Sequence, residues 1–211
     1  TVKQKLLLQF IVAAAYLAAL KVGGATSATM VPFIGRVDIG IWYWIIAFLG
    51  IVAMVNAVNF TDGIDGLNGS VFFMIIAGML KPAGMGVLSA ACAGGCLGFL
   101  IWNFNPAKVF MGDTGSLFLG GMVCAMAFGL DIPILLLVMG IVYLIEILSV
   151  VLQVTYFKAT HGKRLFKMTP IHHSCEMSGW SEVKICAVFS TITALAGLVS
   201  TFLAMNAYGI W

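Results

Sequence analysis

Apolar residues in this chain come in long runs separated by short polar stretches. The runs can be drawn at 5–24, 40–59, 67–81, 84–102, 115–130, 132–157 and 183–210. Several approach the ~20 residues that an α-helix needs to cross a bilayer. The pattern predicts an all-α, polytopic transmembrane helical bundle of about seven spans, forming one membrane domain over 1–211 with no separate soluble domain. The run at 67–81 is short and abuts Lys81-Pro82, which predicts a tilted span, a helix that continues from the polar stretch before it, or a thinned bilayer around it. The stretch from Thr26 to Gly40, with Pro32, Gly35 and Asp38, reads as a turn or small hairpin.

Composition agrees with the pattern. The chain is 62% hydrophobic and only 9% charged, against roughly 25% charged in an average soluble domain. The net charge of +3 acquires meaning once it is located. With the N-terminus placed inside, Lys3, Lys5, Lys108, Lys158, Lys163, Arg164, Lys167 and Lys184 lie on the inner face, and only Lys21, Arg36 and Lys81 lie outside. That is the positive-inside bias. The same orientation puts the polar stretches 59–66, 103–116 and 158–182 together on the cytoplasmic face. Lys3 and Lys5 before Leu6–Leu20 imitate a signal peptide, but the apolar segments that follow favour a first span. The start at Thr1, without an initiating Met, suggests a fragment or a processed chain.

The five cysteines are odd in number and sit mostly in apolar runs, so a disulfide framework is not expected. Cys92 and Cys96 are one helical turn apart among Ala, Gly and Leu, which reads as close helix packing rather than a zinc site.

Chemistry is concentrated in the three polar stretches. In Asn59-Phe60-Thr61-Asp62-Gly63-Ile64-Asp65-Gly66, two carboxylates stand three residues apart at a membrane boundary. Two anions about 4 Å apart repel by roughly 4 kcal/mol at an effective dielectric of about 20, so such a site favours a cation, a proton or a basic ligand. Asn56, Asn59, Asp62, Asp65 and Asn68 recur every third residue, a stripe that rotates by about 60° per step and cannot stay on one helix face. Gly63 and Gly66 fit a break where backbone approaches a ligand. The bland alternative is a solvated loop whose Asp and Asn residues cap the next helix.

The second stretch, from Asn103 to Ser116, holds Asp113 between Gly112 and Gly115 ahead of another apolar run. Its hard oxygen suits Mg²⁺, which is usually held by one or two carboxylates plus substrate phosphates; Asp113 or Thr114 as a simple helix cap is equally open on this stretch alone. The third carries Pro170-Ile171-His172-His173 after Lys163-Arg164 and Lys167. Adjacent histidines point apart, so donation to a phosphate or leaving group suits them better than sharing one metal. A basic loop lying on anionic headgroups is the alternative for the Lys and Arg residues. Glu146, Ser149 and Gln153 give the sixth run one polar edge, read as interhelical packing ahead of a lipid groove.

Taken in order, Asn59-Phe-Thr-Asp62-Gly-Ile-Asp65-Gly, Phe110-Met-Gly-Asp113-Thr-Gly-Ser116 and Pro170-Ile-His172-His173 resemble the motifs of the polyprenyl-phosphate N-acetylhexosamine 1-phosphate transferases. The Pro-Ile-His-His loop with Glu176 and Gly179-Trp180 is similar to the phospho-N-acetylmuramoyl-pentapeptide transferase branch. The resemblance covers essentially the whole chain. It implies transfer of phospho-MurNAc-pentapeptide from UDP-MurNAc-pentapeptide to undecaprenyl phosphate, giving lipid I and UMP, with Mg²⁺ as cofactor, in a bacterial plasma membrane. Carried over by position, Asp113 is the expected magnesium ligand and Asp62 and Asp65 are active-site carboxylates. Phe110, with Gly63, Ile64 and Asp65, is expected to contact the uridine. Asn59 and Asn103 would shape the polar site, and His172 and His173 would contact the substrate's phosphate or sugar. The family tends to dimerise; membrane lipids are expected around the chain and no nucleic acid partner is.

This chain departs from the family pattern in two places. The family usually has about ten spans and an adjacent Asp-Asp pair near the third, assigned to the lipid phosphate; the seven runs here match the last seven, and no Asp-Asp dipeptide occurs. Ser174 stands where the muramoyl branch usually has a third histidine, and a hydroxyl can donate a hydrogen bond but carries no proton charge. The alternative functions are a GlcNAc-1-phosphate transferase for another envelope polymer and an inactive nucleotide-binding scaffold.

Overall fold

The computed structural model describes residues 2–71 and 86–207. Its helices are α1 (Val2–Val22), α2 (Ile41–Thr61), α3 (Gly86–Asn103), α4 (Gly112–Gly129), α5 (Leu136–Met139), α6 (Ile141–Ala159), α7 (Ile171–Glu176) and α8 (Glu182–Ala207), with a 3₁₀ turn at Pro133–Leu135. A further helical turn covers 67–71. Two short antiparallel strands, β1 (Ala28–Val31) and β2 (Gly35–Asp38), pair Ala28 with Asp38 and Val31 with Gly35, the small hairpin that the Pro32 and Gly35 signals predict. The protein is an all-α integral membrane bundle, and among the described residues α1, α2, α3, α6 and α8 are long and apolar enough to cross a bilayer. Most of the expected run at 67–81 lies outside the described residues.

Two of the expected runs differ in detail. The fifth becomes α4, which starts with the polar sequence Gly112-Asp113-Thr114, so its apolar part is shorter than its 18 residues. The sixth, expected as one helix over 132–157, is broken into the 3₁₀ turn, α5 and α6. Pro133 opens the turn, where its missing N–H costs nothing. Gly140 then leaves helical geometry at φ −87° and ψ 20°. A Cβ at that position would stand 2.7 Å from the Leu136 carbonyl oxygen and 3.1 Å from Met54 Cε, so the break and the tight passage past α2 require glycine there.

α2 is the central helix, packed most extensively on α4 and also on α6 and α1. Up to Asn56 it is apolar on all sides, as a span must be. Its protein face is Tyr43, Ala47, Ile51, Met54, Val55 and Val58, all buried. The opposite face, with Ile41, Trp42, Ile45, Ile46 and Leu49, is exposed and faces lipid. Because lipid tails are as apolar as leucine, close backbone approach has to hold α2 to α4. Gly120 provides it: a Cβ there would lie 2.7 Å from Val55 Cα. The first apolar run is likewise part of the bundle, with Ala13 and Leu17 buried on α1.

The chain directions bring the N-termini of α1, α4 and α8 and the C-termini of α2, α3 and α6 to one end, together with α7. All three polar stretches therefore meet there, and the hairpin lies at the other end. The α2–α4 crossing is checked by comparing two neighbouring glycines. Gly120→Ala is expected to lower the thermal unfolding midpoint in detergent micelles, since overpacking against backbone costs ~1–3 kcal/mol. Gly121→Ala, where nothing lies within 4 Å of the added carbon, is expected to leave the midpoint unchanged or raise it.

Candidate active site

The α2–α4 crossing sets Asn59, in the last turn of α2, against Asp113, in the first turn of α4. The Asn59 side chain donates to Asp113 Oδ1 at 2.9 Å and to Ser116 Oγ at 2.8 Å. Lys5 reaches the same point from α1, and its ammonium donates to Asn59 Oδ1 at 2.8 Å and to Asp113 Oδ2 at 2.9 Å. One turn further along, Gln9 and Asn56 exchange amide hydrogen bonds of 3.4 and 2.7 Å. The Asn59 hydrogen bond, then the bond from Lys5, hold the Asp113 carboxyl below the usual carboxylate range. With the Asp113 side chain 69% exposed, the Lys5 ion pair contributes only about 0.2–1 kcal/mol to stability. Its significance is chemical, because two oxygen donors converge on a cation at the mouth of the bundle.

Asp62 caps the C-terminal end of α2 and is half-buried. Burial raises its pKa, a hydrogen bond from Asn68 opposes that, and the Asp113 charge raises it further. The like-charge tension expected between Asp62 and Asp65 thus acts mainly between Asp62 and Asp113. Asn68 is itself held from behind, accepting the hydroxyl of fully buried Tyr143 at 3.0 Å.

Asp65 faces elsewhere. Its Oδ2 accepts from the Ala107 backbone N–H at 2.8 Å and from Asn105 at 3.3 Å, and its own N–H donates to Glu182 Oε2 at 3.1 Å. Asn103 is buried and works as a clip: its carbonyl accepts from Gly66 N–H at 3.1 Å and its amide donates to Val109 O at 2.9 Å. Gly66 has φ +74°, and a Cβ there would come within 3.0 Å of the Phe104 ring. These contacts bind the 62–66 turn to the 104–111 loop. Ile64 packs its side chain onto the core, whereas Phe110 is 73% exposed at the rim and offers a free aromatic face.

The third stretch is fastened to the polar edge of α6. Gln153 accepts from the N–H groups of Leu165 and Phe166 at 2.9 Å each and donates to Phe166 O at 3.1 Å. Glu146 Oε2 lies 3.0 Å from His172 Nδ1, with both side chains 0% exposed. His172 therefore sits inside the protein, with its ring against Gly63, where an added methyl would collide with Nε2. His173 is half-buried, and its Nδ1 is 2.5 Å from Glu176 Oε2. Among the described residues no three His, Cys, Asp or Glu side chains form a metal-holding cluster. Lys5, Asn105 and Glu182 were not among the candidates read from the sequence. For Lys5 a signal exists: Lys5, Gln9, Ala13 and Leu17 share one helix face at four-residue spacing, an unusual position for a lysine and a glutamine on a span.

A family model described as Glycosyl transferase family 4 matches residues 1–131, from α1 through α4. The chain belongs to glycosyl transferase family 4. This member is 45% identical over 210 residues to a protein of Clostridium botulinum (strain Eklund 17B / Type B) named phospho-N-acetylmuramoyl-pentapeptide-transferase, an overlap that covers 96% of this chain and 63% of that protein. It is 48% identical over 188 residues to the Acetivibrio thermocellus protein of the same name, covering 84% and 56%, and 42% identical over 208 residues to one from Listeria monocytogenes serotype 4b, covering 95% and 64%. The chain thus spans less than two thirds of the length of these relatives.

The raised Asp62 pKa gives a pH signature with a definite sign. Between the ordinary value of 3.8 and its raised folded value, the folded state holds the proton more tightly than the unfolded chain, so wild-type stability falls as pH rises through that window. Asp62→Asn lacks this loss. The stability gap between variant and wild type is expected to widen with pH from 3.8 upward and then level off, as measured by thermal unfolding across that range.

Proposed function

We propose that this site transfers phospho-MurNAc-pentapeptide from UDP-MurNAc-pentapeptide to undecaprenyl phosphate, releasing UMP and forming lipid I on the cytoplasmic face of a bacterial plasma membrane. The observation that carries the reading is the Lys5–Asn59–Asp113 constellation beside Asp62, a cation already held between hard oxygens at the end of a membrane bundle. Phosphoryl transfer asks the protein mainly for positioning and charge neutralisation, and this arrangement supplies both next to lipid. The naming of the relatives supports the muramoyl substrate.

Mg²⁺ fits the donors present. Asp113 is exposed and ionised below the usual range, Asn59 presents a carbonyl, and the Lys5 ammonium bridges both oxygens as a stand-in for a cation. Two protein oxygens with Asp62 nearby suit a metal that takes its remaining ligands from water and substrate phosphates. Asp113, with Asp62, would hold it, and the bound ion would neutralise the diphosphate of the UDP-sugar. The exposed Phe110 ring offers a stacking face for the uracil, on a loop that Asp65 and Asn103 keep in place. Lys163, Arg164 and Lys167 bring positive charge to the leaving nucleotide or to anionic headgroups.

The test is release of UMP from UDP-MurNAc-pentapeptide in the presence of undecaprenyl phosphate and Mg²⁺. Asp113→Asn is expected to lower turnover by ~100-fold or more and to raise the Mg²⁺ concentration required. Near-normal turnover in that variant would remove Asp113 from the metal site. Lipid product from UDP-GlcNAc but none from the muramoyl substrate would overturn the substrate assignment.

A further inference from the structure

The polar edge of α6 makes two attachments, and they differ in what they leave unsatisfied. The Gln153 amide is engaged on both its oxygen and its nitrogen. Glu146 and His172 share one contact, and beyond it Glu146 Oε1 and His172 Nε2 are buried with no hydrogen-bond partner among the described residues. Each buried, unpartnered polar atom loses its hydrogen bonds to water and gains none in return, which destabilises the fold. A well-packed apolar pair of similar volume would be as stable or more so. Stability therefore does not account for this pair.

The surroundings of the ring point to its task. Its Nε2 edge lies against Gly63, between Asp62 and Asp65, where an added Cβ would also be 2.8 Å from Cε1. On its other side the ring of His173 sits with centroids 4.2 Å apart, and His173 is itself held by Glu176. A carboxylate on Nδ1 places a proton there and leaves Nε2 as the atom turned toward the site. The absence of a side chain at residue 63 is what lets that edge approach the turn.

We propose that Glu146 is a positioning residue for the transferase site: through Nδ1–H it fixes the tautomer and orientation of His172, so that the lone pair of Nε2 faces the Asp62–Asp65 turn to accept from a hydroxyl of the bound substrate. This rests on the phosphoryl-transfer reading given above. Glu146 itself touches no substrate, and its effect passes entirely through the imidazole.

Glu146→Gln in the membrane-embedded protein keeps the shape but replaces the carboxylate by an amide that can meet Nδ1 with either its oxygen or its N–H, so one tautomer is no longer imposed. The expected result is a fall of ~10-fold or more in kcat for UMP release, with KM for the UDP-sugar changed by less than ~2-fold. In a His172→Gln background the same substitution is expected to add no further loss, because both changes remove one unit. Nitrogen-15 NMR of labelled histidine, with His172 assigned by its loss in His172→Gln, is expected to show Nδ1 protonated in the wild type and the pattern altered in Glu146→Gln. Wild-type turnover in Glu146→Gln, losses that multiply across the double variant, or a wild-type His172 protonated on Nε2 alone would each overturn the proposal. Failure of the wild-type protein to release UMP would instead overturn the assigned reaction. The nitrogen pattern, measured on the wild type and needing no variant to fold, then decides by itself whether Glu146 sets the ring.

Discussion

Carboxylates gathered at the end of an apolar bundle need positive charge, and in this protein Lys5 supplies it from the N-terminal helix. Its ammonium lies between Asn59 Oδ1 and Asp113 Oδ2, joining α1, α2 and α4 at one point. The pair itself is too exposed to contribute much to stability. What it fixes is arrangement: the three helices converge so that one cation serves Asp113 while Asp62 stays half-buried and reluctant to ionise. That convergence depends in turn on Gly120, because only a bare backbone lets α4 come close enough to α2 for Asn59 to reach Asp113.

A second layer holds the irregular backbone that such a site requires. At a membrane boundary every turn must satisfy its own polar groups. Asp65 and Asn103 do this for the 62–66 turn and the 104–111 loop, and Glu182 adds the start of α8. Gln153 does the same for 165–166. Several residues whose types suggest chemistry thus bond backbone, and they keep Phe110 and Asp113 projecting outward.

Much of this was legible from spacing and composition. The long apolar runs identified the membrane bundle, and the alternation of their directions put the three polar stretches at the same end. Asp62, Asp113 and Asn59 stood out because charged and amide side chains are expensive beside a span. The break at Gly140 was not legible, since a glycine inside an apolar run is tolerated in most helices and only the closeness of the Leu136 carbonyl, with Met54 beside it, makes it obligatory here. Lys5 was read only as one of the charges of a membrane face, and its partner Asp113 lies 108 residues away. Glu146 carried a packing reading, and the pairing with His172 lay beyond it because nothing in local periodicity connects a helix interior to a loop 26 residues later.

The sequence alone determined which segments enter the bilayer and which polar groups stay at its surface, because transfer of apolar side chains into lipid is a local property of each segment. Tertiary structure decided which of those polar groups meet. Asp62 feels the charge of Asp113, His172 turns inward to Glu146, and Lys5 closes the gap between Asn59 and Asp113. Hydrogen bonds and ion pairs act over about 3 Å, so their partners follow from how the helices cross and how closely glycine lets them approach.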